Sequence, residues 1–364
     1  MSFKYPVYKP SLRGNEKKYV SECLDSTWIS SKGKFISSFE SKFAKYINAK
    51  YAIAVPNGTI ALHLSLLALG IGKNDEVIIP SLTYIASANA VKYTGAKPVF
   101  ADSLYDSWQI DPSDIRKKIT KKTKAIMPVH LYGFPCDMDE IKKISKEYNL
   151  LIVEDCAEAF GTKYKNKHVG NFGDIAAFSF FGNKTITTGE GGMVVMNNKK
   201  LYEHATHIKG QGLAKNREYW HDVIGYNYRM TNICAAIGLA QLERADELIF
   251  QKRQIAKWYD KLFKDLPIIT HKESKNIFHS YWMYNILVEN SKYRNKLRKH
   301  LKKQGIETRP MFFPIHTMPI YYKKTIHLPV AEDIASRGIN LPSYPDLTKR
   351  DIEYIGSKVR EFFN

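Results

Sequence analysis

The first 200 residues carry seven short apolar, β-rich runs: YAIAVP (51–56), EVIIP (76–80), KPVFAD (97–102), KAIMPVH (124–130), LLIVEDCA (150–157), IAAFSFF (175–181) and GMVVMN (192–197). Stretches with helical spacing separate them, and this alternation is the strongest constraint on the fold. Strands apolar on both faces need cover on both, and a strand–helix–strand order supplies it. The expected class is α/β, with a seven-stranded, mostly parallel mixed sheet. NGTIALHLSLLALGIGKNDE, between the first two runs, suits a buried helix ended by Gly70 and Gly72. From about Met230 the pattern changes. TNICAAIGLAQLERADELIFQKRQIAKWYDKLF keeps helical spacing without a proline, which predicts one long helix leading out of the first domain. Beyond it SYWMYNILVE (280–289) reads as strand, RNKLRKHLKKQG as helix, and the end is proline-rich. The boundary is placed near residue 250, with a large domain over 1–250 and a smaller α+β domain over 251–364.

A formal charge of +19 raises the question of acidic partners. The lysines, however, are spread widely. SKYRNKLRKHLKK (291–303) reads as the solvated face of one helix, and no nucleic-acid partner is expected. The four cysteines, Cys23, Cys136, Cys156 and Cys234, form no CxxC pair and no His/Cys cluster. Neither a metal site nor a disulfide framework is expected, and a reducing cytoplasm fits. The opening MSFKYPVYKP does not read as a signal peptide, and no apolar run would span a bilayer, so no membrane partner is expected.

In open α/β sheets, chemistry collects at the carboxyl ends of strands. Four segments fall there: Asn57-Gly58-Thr59, Ser81 to Tyr84, Asp155 to Glu158, and Ser179 to Lys184. Gly58 at a helix start lets backbone amides approach an anion. Asp155 ends a buried strand, where a carboxylate needs a cation. A structural reading exists for each: an N-cap for Asn57, a helix cap or an internal ion pair for Asp155, core packing for Tyr84, a solvated hairpin for Lys184. Taken together they ask for a ligand with an anionic group, a flat ring bearing a cationic nitrogen, and an electrophile for a lysine. Pyridoxal 5'-phosphate has all three.

Almost end to end, the chain resembles the DegT/StrS-type sugar-nucleotide aminotransferases, with the fold-type-I architecture of aspartate aminotransferase. WISSKGKFISSFE, VPNGTIALHLSLLALGIG, PSLTYIASANAV, VHLYGFPCDM, VEDCAEAFGTKYKNKHVGNFGD, FSFFGNKTITTGEGGMVV and GYNYRMTNICAAIGLAQLER carry the likeness. The resemblance implies that Lys184 binds the cofactor covalently and shuttles the proton, while Asp155 pairs with its ring nitrogen. It implies that Ser179 and the Gly58 and Thr59 amides hold the phosphate, and that Tyr84 stacks on the ring. Glu158 stands beside the ring hydroxyl, where many relatives have glutamine. Asn227 or Arg229 of the GYNYR segment would reach a neighbouring subunit's site, which implies a homodimer. Trp28, Ser30, Lys32, His130, Arg309, Phe313 and His316 are candidate sugar-nucleotide contacts by the same likeness.

The implied reaction moves the amino group of L-glutamate to C4 of a nucleotide-linked 4-keto-6-deoxy sugar, in two half-reactions at one site. FFGNKTITTGEGG together with REYWHDVIGYNYRMTN most resembles the branch acting on GDP-4-keto-6-deoxymannose, and that resemblance implies a product for polysaccharides such as O-antigen. The alternatives are a UDP- or dTDP-linked sugar, or a non-catalytic regulator on the same fold. Lys184 argues against the related dehydratases, which carry histidine there.

Overall fold

The structure, a computed structural model, describes residues 3–364. All seven apolar runs form strands of one sheet: β1 (Tyr51–Val55), β2 (Glu76–Pro80), β3 (Lys97–Ala101), β4 (Thr123–Ile126), β5 (Leu151–Asp155), β6 (Ile175–Ser179) and β7 (Gly192–Met196). Their order is β1-β7-β6-β5-β4-β2-β3. The pairs from β6 across to β3 are parallel, and β7 alone runs against both its neighbours. β1 therefore points the same way as β5 and β6. This brings Asn57, Asp155 and Ser179 to one edge of the sheet.

Alternate residues of each strand enter separate cores. Ile53, Val55, Val153, Ala177 and Val194 pack on one face, and Ala52, Ala54, Ala176, Phe178 and Val195 on the other. That two-sided burial explains why the runs are apolar without alternation. The helix Gly58–Ala68 lies on the first face and stops as expected: Gly70, at φ 72°, lets Ile71 N donate back to Leu66 O.

The predicted long helix is two, Asn232–Glu243 and Ala245–Phe263, broken at Arg244 (φ −108°, ψ 12°). Arg244 donates from Nε and Nη2 to Glu247 and from Nη1 to Ser11 O. No proline or glycine marks the break, and one of its contacts, to Ser11 O, is long-range. The second helix runs unbroken through residue 250, so the boundary drawn there falls inside a continuous element. It leads to a small antiparallel sheet of β8 (Ile268–Ile269), β9 (Tyr284–Val288), β10 (Arg309–Pro310) and β11 (Gly338–Leu341), in the order β8-β9-β11-β10. The start of the chain reaches this part of the molecule too. Tyr5 exchanges backbone bonds with Gly305 and Glu307 and is buried in the core of the second unit. No described helix is long and apolar enough to cross a membrane.

Candidate functional site

A cavity of about 400 Å³ opens at the carboxyl edge of the large sheet. Asn57, Gly58, Thr59, Tyr84, Asp155, Glu158, Ser179 and Lys184 all line it. Each is there for a local reason. Asn57 Oδ1 caps the following helix by accepting from Ile60 N at 2.9 Å, and no described group accepts from the Gly58 and Thr59 amides. A Cβ at Gly58 would lie 2.7 Å from Ser179 Cβ, so only glycine lets the two strand ends close together.

Lys184 stands in a turn built by its neighbours. Lys184 N donates to Phe181 O, while Thr187 Oγ1 donates to Phe180 O and accepts from Gly189 N. Gly191 passes so close to Thr188 Oγ1 that an added Cβ would sit 2.0 Å from it. The threonines and glycines around the lysine therefore fold the turn back on itself and leave Nζ facing the cavity. Nζ lies 3.8 Å from Glu158 Oε1 and 3.8 Å from the centre of the Trp282 ring. Trp282 is itself fixed, donating from Nε1 to Asn183 O at 2.8 Å.

Asp155 is buried, and its oxygens accept from Ala157 N at 3.1 Å and Ser87 Oγ at 2.8 Å. Burial raises its carboxyl, against those bonds and the more distant Lys184. No described lysine, arginine or histidine reaches it at ion-pair distance. Burial likewise pushes the Glu158 carboxyl up to about 7, opposed by Lys184 and the Tyr132 amide, and it draws the Lys184 amine down. These are two buried acids and one amine, with a single close contact among them.

Glu158 yields a stability test on the cofactor-free protein. Its folded pKa, about 7, exceeds its ordinary 4.5, so the native state binds the extra proton between those values. That contribution to stability is fully present below pH 4.5 and is lost as pH rises toward 7. Glu158→Gln should remove this loss. In paired melts its advantage over the parent should grow from pH 4.5 to 7 and then level off. A constant difference across that window would refute the assignment.

Thr83 and Asn183, inside the Ser81 to Tyr84 and Ser179 to Lys184 segments, also line the cavity, together with residues that sequence reasoning missed: Ser87, Glu190, Trp282 and Phe312. Ser87 lies one helical turn from the Ser81–Tyr84 segment and was in reach of that reasoning. Trp282 and Phe312 come from the second unit and carried no local signal. Tyr84 is 57% exposed, with Phe312 5.6 Å away across a tilted pair of rings.

Several expected substrate contacts need correction. His130 is fully buried: Nδ1 accepts from Cys136 N, and Nε2 donates to Glu154. That carboxylate in turn holds the Gly170, Phe172 and Gly173 amides. The imidazole is a strut beneath Asp155, not a cavity wall. His316 is buried too, with one ring nitrogen on Ser81 Oγ and the other on Glu332. It pins the segment after β10 to the turn after β2. Trp28, Ser30 and Lys32 lie on an exposed loop whose Trp28 and Ser30 carbonyls accept from Asn232, away from this chain's cavity. Asn227 and Arg229 are likewise exposed, bonded to each other and absent from the cavity wall. Arg309 and Phe313 line an adjoining hollow of about 470 Å³, which shares Tyr84, Asn183, Trp282 and Phe312 with the first.

The DegT/DnrJ/EryC1/StrS aminotransferase family matches residues 10–360. A protein of Escherichia coli O157:H7 named GDP-perosamine synthase is 62% identical over 359 residues, which cover 99% of this chain and 98% of that protein. One of the same name from Vibrio cholerae is 48% identical, with 99% of each chain covered. Among solved structures, Helicobacter pylori PseC, an aminotransferase involved in the biosynthesis of pseudoaminic acid, is similar with a TM-score of 0.93 at 30% identity. That match covers 100% of this chain and 99% of PseC.

Proposed function

The chain belongs to the DegT/DnrJ/EryC1/StrS aminotransferase family, and from that premise we propose that it moves the amino group of L-glutamate to C4 of GDP-4-keto-6-deoxy-D-mannose, giving GDP-perosamine and 2-oxoglutarate. Enzymes of this family work with pyridoxal phosphate. The residues present fit that group. Asp155 is a buried acid without a close cation, and a protonated ring nitrogen is the cation it lacks. The amides of Gly58 and Thr59 start a helix and are free for a phosphate, with Ser179 beside them. Lys184, lowered by burial, is an amine poised to act as a nucleophile. The observation that carries the reading is this meeting of Lys184 and a cation-less Asp155 in one cavity.

When bound, the cofactor supplies an aldehyde for an amine and a ring that withdraws electrons from the carbon losing its proton. The chain's residues do the rest. Asp155 keeps the proton on the ring nitrogen. Lys184 Nζ would take the proton from the amino-acid Cα and deliver it two atoms away, to the carbon on the far side of the transferred nitrogen. Tyr84 and Glu158, both in the cavity wall, would orient the ring face and meet the ring hydroxyl. Exposed Asn227 and Arg229 serve the partner's cavity in a homodimer, with Trp28, Ser30 and Lys32 on a neighbouring exposed loop. Arg309 and Phe313, in the adjoining hollow, suit a diphosphate and a flat base or sugar face.

Purified protein given glutamate and each keto sugar nucleotide in turn should aminate the GDP-linked sugar and release 2-oxoglutarate. Amination of a UDP- or dTDP-linked sugar in its place would overturn the substrate assignment and leave the chemistry standing. No turnover with any of them would favour the non-catalytic reading.

A further inference from the structure

A second cavity adjoins the Lys184 turn. It measures only about 10 Å³, and its wall draws on residues 7–10, 182–185, 343–345 and Lys252. Lys252 projects from the helix Ala245–Phe263, the element that joins the two units, and is 5% exposed. Its Nζ donates to Ser343 O at 2.9 Å and makes no ion pair with a described carboxylate. Burial alone lowers this amine to about 7. Charged or neutral, it keeps at least one N–H beyond the one that Ser343 accepts.

Two residues of the same cavity wall show the opposite deficit. Asn183 Oδ1 and Thr185 Oγ1 are buried without a hydrogen-bond partner, and both residues line it. Buried polar atoms are rarely left unpaired, and the space is about that of one water molecule. A surplus donor, two orphaned acceptors and one water-sized gap therefore coincide. The other titratable groups facing this gap are Tyr8, Lys9, Lys184 and Tyr344, none of them a carboxylate.

We propose that Lys252 is a positioning residue for Lys184, acting through one water that bridges its Nζ to Asn183 Oδ1 and Thr185 Oγ1. Those two residues flank Lys184 in the chain. Fixing both fixes the direction in which Lys184 leaves the turn, and small misplacements of a reacting group are costly. The bridge also couples the turn to the helix that carries the second unit. The inference rests on Lys184 being the reacting amine.

The test compares full-length Lys252→Met, Lys252→Arg and Lys184→Ala with the parent protein, together with a crystal structure of the parent that resolves waters. Lys252→Met keeps the aliphatic stem and removes the donors. It should fold, hold KM for glutamate near the parent's value, and lower kcat about tenfold, the size of one lost charge-assisted hydrogen bond. Lys252→Arg should recover most of that loss. The parent structure should show a water within hydrogen-bond distance of Lys252 Nζ and of Asn183 Oδ1 or Thr185 Oγ1. A Lys252→Met enzyme with the parent's kcat, or a cavity without that water, overturns the proposal. Should Lys252→Met not fold, the parent structure decides by itself. Lys184→Ala separates the two levels: if it still turns over, the assignment of the reacting amine fails, whereas an inactive Lys184→Ala beside an unimpaired Lys252→Met sinks only the role of Lys252.

Discussion

An Asp155→Asn variant should transfer amino groups roughly 10³-fold more slowly than the parent enzyme, while its cofactor-free form melts no lower. The two halves of this expectation come from one fact. Asp155 ends β5 with its carboxyl buried, held by the Ala157 amide and the Ser87 hydroxyl, and without a cation at contact distance. In the cofactor-free protein that charge is a cost, because burial disfavours it and raises the carboxyl. A neutral amide of the same shape removes the cost. On the proposed reading the same charge would, with cofactor bound, hold a proton on the ring nitrogen, which asparagine could not do. Steady-state rates with glutamate and the keto sugar, set beside melts of the stripped protein, read both effects. A variant that loses stability and activity together would make Asp155 a structural acid and no more.

Lys184→Ala should lose at least about 10⁴-fold in kcat, since in the proposed mechanism one side chain both anchors the cofactor and carries the transferred proton. The fold should tolerate the change. Nζ makes no bond shorter than its 3.8 Å approaches to Glu158 and Trp282, and the turn is held by backbone and threonine contacts. Removing the amine also takes away the nearest positive charge facing Glu158, which should raise that carboxyl further. Circular dichroism and a kinetic assay decide the matter. A folded Lys184→Ala protein that retains appreciable turnover would contradict the mechanism.

Much of the fold was legible because its physics is local. Seven apolar runs became seven strands, since burial on both faces leaves no polar alternation to confuse the pattern. Gly58, Asp155, Ser179 and Lys184 were found because parallel strands deliver their carboxyl ends to one edge. What escaped depended on distant parts of the chain. Arg244, where one helix ends and the next begins, bonds a carbonyl more than 230 positions away, while the helical period runs across the break undisturbed. Tyr5 joins the second unit through Gly305 and Glu307, a pairing no local pattern encodes. Trp282 and Phe312 reach the cavity from the second unit, and nothing in SYWMY or RPMFF says where its aromatic rings will point. His130 and His316 misled for the converse reason: both look like polar side chains free to meet a ligand, and both are consumed by internal partners.

The most direct measurement is chemical. The holoenzyme is reduced with borohydride, digested and weighed by mass spectrometry. A pyridoxyl adduct on the peptide containing Lys184, and on no other, is the expected result. An adduct on a different lysine, or none in protein that still transfers amino groups, would contradict the account of the site.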